Sequence, residues 1–133
     1  MCKTIKQKVK FKAPPDSIYK MLSDSKAQSE LTGKKAAISN KVGGSFSILS
    51  GEIQGVIVDL AVGKRIVLAW RRSDFPDGVF SMAAFNLKPT ADGGTELELV
   101  HRGVPKHLIA QIETAWREVF WKRMKQHLEG GGH

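Results

Sequence analysis

A long apolar stripe near the C-terminus leaves the rest of this chain few ways to fold. Between Pro105 and Glu129, Leu108, Ile112, Trp116, Val119, Phe120, Met124 and Leu128 recur at spacings of three and four, the signature of one helix face. Glu113, Arg117, Arg123, Lys125 and Gln126 fall on the opposite side, so one face is wet and the other needs a cover. A stripe this long and aromatic needs a partner layer of similar extent, and the 133-residue chain has room for one such layer around one core.

The upstream sequence supplies that layer as strands. Lys3 to Lys12 alternates, with Ile5, Val9 and Phe11 on one side, which predicts a strand with one buried face. Pro14-Pro15 stops it, and Asp16 and Ser17 offer side-chain oxygens to cap a short helix carrying Ile18, Tyr19, Met21 and Leu22. A second short helix is expected over Ser25 to Leu31. From Ala36 onward, short β-type runs are punctuated by glycine: Ala36–Ser39, Gly44–Leu49, Ile53–Ala61, Arg65–Arg71, Val79–Pro89 and Thr95–His101. Ser50-Gly51, Val62-Gly63-Lys64, Pro76-Asp77-Gly78 and Asp92-Gly93-Gly94 provide turn chemistry between them, so an antiparallel meander is predicted. The expectation is an α+β domain over 1–129, a curved antiparallel sheet of six or seven strands around the long helix, with two short helices near the N-terminus. Residues 130–133 read as a flexible tail or an expression remnant.

Composition narrows function by exclusion. No apolar run reaches the roughly 20 residues that cross a bilayer, and the first residues lack the uninterrupted apolar stretch of a secretory signal, so a cytoplasmic location is expected. Cys2 is the single cysteine; it allows no internal disulfide and sits in no zinc-type cluster. The net charge of +8 would suit nucleic acid, but the basic residues are scattered, and a solvated basic surface is the expectation. Gly43-Gly44 is not followed by the Lys-Ser/Thr of a phosphate loop, and it reads as a bend before a strand, with Gly51 and Gly55 marking a turn and a close approach. No metal site, cofactor or catalytic set is expected.

Particular residues then carry a likeness. Gly43-Gly44-Ser45-Phe46-Ser47-Ile48, Gly51-Glu52-Ile53-Gln54-Gly55, Asp59-Leu60, Ile66-Val67-Leu68-Ala69-Trp70-Arg71, Gly94-Thr95-Glu96-Leu97, Gly103-Val104-Pro105 and the helix with Trp116-Arg117 and Phe120-Trp121 resemble, in this order, the family named for the activator of Hsp90 ATPase, within the START-like (SRPBCC) superfamily. The similarity runs from about Phe11 to Leu128. It implies the helix-grip fold, and an Hsp90-type chaperone in stress response as an alternative partner to a small ligand.

The aromatic residues can be read in two ways. Trp70, Trp116, Phe120 and Trp121, with Phe85 and Leu99, should face one another across the gap between sheet and helix. They make either a filled core or the lining of a hydrophobic cavity; packing is the plainer reading, and the family's habit of forming pockets is what supports a cavity for a small apolar or amphipathic ligand. His101 shares strand parity with Leu97 and Leu99, which places it inside, either as a hydrogen-bonded structural histidine or orienting a polar group of that ligand. Trp70, Phe85, Leu99, His101, Trp116 and Phe120 are therefore the expected ligand-binding residues. Arg71 and Arg72 are the expected contacts to an acidic partner, against the plainer reading of arginine stems covering apolar surface. Glu96 and Glu98 should point away from the core.

Overall fold

The computed structural model describes residues 4–130; Cys2 and positions 131–133 of the expected tail lie outside them. Seven strands form one antiparallel sheet: β1 (Ile5–Phe11), β2 (Ala37–Ile38), β3 (Ser45–Ile48), β4 (Ile53–Ala61), β5 (Arg65–Arg72), β6 (Ser81–Pro89) and β7 (Thr95–Arg102). The order across the sheet is β1-β7-β6-β5-β4-β3-β2. Hairpins thus connect every strand from β2 to β7 to its neighbour, and β1 closes the far edge beside β7. Two helices, α1 (Pro15–Ser23) and α2 (Ser25–Thr32), bridge β1 to the meander. After β7, a 3-10 turn (Lys106–Leu108) leads into α3 (Ile109–Ala115), a π-helical turn (Trp116–Trp121) and α4 (Lys122–Gly130), which together lie against the inner face of the sheet.

The strand faces follow the alternation of the sequence. Ile5, Val9 and Phe11 of β1, Ala83, Phe85 and Leu87 of β6, and Leu97, Leu99 and His101 of β7 are buried. Glu96 and Glu98 stand opposite Lys10 and Lys8 on the outer side. The register of β4 against β5 slips between Ile57 and Asp59, so a bulge at Val58 moves the inward series from Ile53, Gly55 and Ile57 to Leu60. At Gly55 a Cβ would lie 1.7 Å from the Ala69 carbonyl oxygen and 2.8 Å from a Phe46 ring carbon. The close approach expected there is one that only glycine allows.

Several local details differ from the sequence reading. Pro14, not Asp16 or Ser17, is the N-cap of α1 and carries no side-chain cap. Pro15 takes the first helical position, where a missing N–H is harmless, and Asp16 sits in the first turn, where its charge suits the helix dipole. Asp24 is the working cap: its carboxylate accepts from the Ala27 N–H at 2.9 Å to begin α2. β6 begins at Ser81 because the Val79 N–H is spent on the Pro76 carbonyl in the preceding turn.

The C-terminal helix was expected to be regular and is not. Its π turn uses i→i+5 bonding, with the Lys122 N–H reaching the Arg117 carbonyl. The wider turn lets Trp116 and Trp121 stack, with centroids 5.4 Å apart and planes 17° from parallel, and Trp116, Phe120 and Trp121 are all buried against the sheet. Gln7 of β1 braces this region: its amide donates to the Glu113 carbonyl at 3.0 Å and accepts from Trp121 Nε1 at 2.6 Å.

Candidate functional site

The aromatic residues picked out in the sequence do converge. Trp116, on the π turn, lies 5.7 Å from Trp70 of β5, 5.5 Å from Phe85 of β6 and 4.8 Å from Phe120 between ring centroids. Trp70 also meets Phe75, from the β5–β6 connection, edge-on at 5.7 Å. Strand parity brings Trp70 and Phe85 inward, and helix pitch delivers Trp116 and Phe120 to meet them.

His101 sits fully buried behind this cluster. Indole nitrogen only donates, so Trp116 Nε1 donates to His101 Nδ1 at 3.1 Å and fixes the neutral ring's proton on Nε2. That proton meets Ser81 Oγ at 2.7 Å, and the Ser81 hydroxyl in turn donates to the Trp70 carbonyl at 2.8 Å. The chain from Trp116 through His101 and Ser81 to Trp70 leaves neither ring nitrogen free. Burial pushes the His101 pKa down from 6.5 to about 3, so the ring is neutral at ordinary pH. Ser81 went unnoticed in the sequence; the available signal was a hydroxyl at an inward position in phase with Ala83, Phe85 and Leu87.

Two spaces adjoin the cluster. The inner one, between the sheet and the helices, has room for about 30 Å³, enough for water but not for a larger molecule without rearrangement. Trp70, Phe85, Trp116 and Phe120 line it, together with Gln28, whose buried Oε1 has no protein partner while its Nε2 donates to the Met21 carbonyl at 2.7 Å. The second is a cleft of about 200 Å³ at the mouth, where the β3–β4 turn approaches the C-terminal helix. Its floor is Trp70, Ile112, Trp116 and Phe120, and Lys34, Arg72 and Arg123 stand among its walls with Glu52. Trp70, Trp116 and Phe120 line both spaces and form the partition between them. Leu99 and His101 line neither and belong to the packed layer behind.

Arg71 and Arg72 are separated by the strand alternation. Arg72 points to the inner side and is held in a two-point pair with Asp74, at 2.8 and 2.6 Å, with Gln111 at 3.2 Å. That hydrogen bonding raises the Arg72 pKa and lowers that of Asp74. Arg71 points to the outer side, donates to the Phe75 carbonyl at 2.9 Å and stands over the Phe80 ring at 5.9 Å. One flat partner cannot take both guanidinium groups. No cluster of three or more His, Cys, Asp or Glu able to hold a metal ion occurs among the described residues, and no helix among them is long and apolar enough to cross a membrane.

Residues 12–129 match the family model described as Activator of Hsp90 ATPase homolog 1-like protein. The chain belongs to this family. Among curated members it is similar to the Activator of 90 kDa heat shock protein ATPase homolog of Dictyostelium discoideum, 29% identical over 123 residues, which are 92% of this chain and 32% of that protein. The human Activator of 90 kDa heat shock protein ATPase homolog 1 is 27% identical over 125 residues, 94% of this chain and 36% of the relative. The chain thus spans about a third of the length of these curated relatives. A crystal structure of an HSP90 activator from Plasmodium falciparum superposes with a TM-score of 0.90, covering 95% of this chain and 96% of that one at 22% identity. At such identity the match speaks for the fold, which is the helix-grip arrangement the resemblance implied.

Proposed function

We propose that this domain is a non-catalytic regulator that binds an Hsp90-type chaperone in the cytoplasm through its exterior and raises the chaperone's ATP turnover. The observation that carries this reading is the family match over residues 12–129 on a domain whose inner space has room for only about 30 Å³. So small an inner space favours the outer faces as the recognition surface. Catalysis is not part of the proposal, because the one buried imidazole among the described residues has both nitrogens engaged and general-base work needs a free one. The test is to add the purified protein to the 90 kDa heat shock protein of the same organism and follow ATP turnover and co-migration. Stimulation with complex formation is the expected result. Unchanged turnover with no complex would remove the reading.

A second reading rests on the mouth cleft. Its aromatic floor and its Lys34, Arg72 and Arg123 walls suit a small amphipathic anion, with apolar atoms on Trp70, Trp116 and Phe120 and an acidic head among the cations. Rotation of the partition rings would join cleft and inner space, where Gln28 Oε1 is an open acceptor. Anilinonaphthalene sulfonate and decanoate are suitable probes. Each should raise the melting temperature, and the absence of any shift at saturating concentration would end this proposal.

A further inference from the structure

An antiparallel sheet with one face on a core usually alternates apolar inward and polar outward. β1 obeys this rule, with Lys6, Lys8 and Lys10 exposed. β4, β5 and β6 break it. Their central outward positions include Val56, Val67, Ala69, Met82 and Ala84, which the register sets side by side, with Val58 on the bulge beside them and Asp59 opposite Val67. Val56, Ala69 and Met82 form one row across three strands, and Val67, Ala84 and Val100 form the next. Val56 and Val58 are each 42% exposed, Met82 41% and Phe80 48%, so this apolar face meets solvent.

Its edge is cationic. Lys6 stands beside Val100 and Arg102 beside Met82 in register, both exposed, and Arg71 lies over the Phe80 ring. The nearest carboxylate, Asp59, is paired with Arg65, while Glu98 and Glu96 lie opposite Lys8 and Lys10. An apolar centre inside a charged rim is the anatomy of a protein interface, and contiguous exposed apolar patches mark interaction sites. The sign of the rim decides the occupant. A second copy would bring cation against cation on a chain already at +8, whereas an acidic surface would be attracted.

The geometry points to the outer face of β4–β5–β6 as the docking surface for an acidic protein surface that presents apolar side chains. This assignment rests on the partner reading above and says where that partner seats and which of its surfaces it offers. Arg71 belongs to the interface and Arg72 does not, because the strand turns Arg72 to the other side.

The test compares binding of the organism's 90 kDa heat shock protein by wild type, the double variant Val56→Glu/Met82→Glu, and Val62→Glu. Val62 is 78% exposed in the β4–β5 turn, off the patch. The double variant should weaken binding by about tenfold or more, and Val62→Glu should leave it within about twofold. Wild-type affinity should fall as salt rises. If the double variant loses its native circular dichroism, the single Met82→Glu serves as the readout. Wild-type affinity in a folded double variant overturns the docking face while leaving the partner reading standing. Wild type failing to bind removes that reading and the docking face with it. Self-association of the wild type that the double variant abolishes would overturn the assignment in favour of a second copy. Sedimentation with phosphatidylserine vesicles, lost in the double variant while chaperone binding persists, would overturn it in favour of lipid.

Discussion

His101 shows how one side chain can be read in two ways from sequence and in one from geometry. Its neutral form is held from both sides, by an indole donor on Nδ1 and by the Ser81 hydroxyl, which accepts from Nε2 and donates its own O–H to the Trp70 carbonyl. The folded pKa of about 3 lies below the unfolded value of about 6.5, so the unfolded chain takes up a proton first as pH falls. The stability this group contributes is complete above pH 6.5 and is lost as pH drops toward 3. Its slope reaches about 1.4 kcal/mol per pH unit within that window. Denaturant unfolding between pH 6.5 and 4.5 should therefore show a steep decline that His101→Gln flattens, even though that variant starts less stable at pH 7. Equal slopes in the two proteins would mean that His101 titrates normally. Gly55 makes a steric counterpart. A methyl group there would collide with the Ala69 carbonyl, and strand backbone cannot yield as a flexible side chain can. Gly55→Ala should cost about 3 kcal/mol or more, and a loss under about 1 kcal/mol would show that the sheet relaxes.

Among the elements, the C-terminal helix was the most legible in sequence and also the one with the largest surprise. Spacings of three and four located it and named Leu108, Ile112, Trp116, Val119, Phe120, Met124 and Leu128 as its inner side; Val119 and Leu128 are partly buried and the other five are buried. The same spacings said nothing of the π turn: Trp121 was expected to face the sheet, but a stripe counted at 3.6 residues per turn reports an average pitch and not one widened turn. Trp121 enters the core only where the helix widens and Gln7, distant in sequence, takes its N–H. The bulge at Val58 escaped notice for a related reason: periodicity reports the average repeat, and a single inserted residue is visible only in the pairing with β5. The site was legible in the same measure. Trp70, Phe85, Trp116 and Phe120 were found by parity and stripe, whereas Ser81 and Gln28 were missed because isolated polar residues on apolar faces carry no periodic signal. Gln7→Ala should leave the Glu113 carbonyl and the Trp121 N–H without this partner, at a cost of about 1–3 kcal/mol. Amide exchange should accelerate chiefly over Trp116–Trp121. A global loss of protection with no local excess would show that Gln7 supports the edge strand generally and not the π turn.

At the scale of the whole molecule, the two proposed recognition surfaces lie on opposite sides of one sheet, the mouth cleft inside and the apolar face of β4–β5–β6 outside. The layer between them is a single strand thick, and its central strand β5 contributes Trp70 and Arg72 to the inner side and Ala69 and Arg71 to the outer. A substitution that fills the cleft without touching the outer face can tell whether the two act independently. Ala115 lines the cleft from the helix side, and leucine there adds apolar volume to a space of about 200 Å³ without burying a polar group. Ala115→Leu should leave stability unchanged or raise it by about 1 kcal/mol, and it should abolish the melting-temperature shift with anilinonaphthalene sulfonate. Chaperone binding and turnover stimulation should persist, since contacts across the outer face are intact. If the folded variant loses both the probe and the chaperone, occupancy of the cleft is coupled through β5 to the docking face, and a small ligand then becomes a regulator of partner binding.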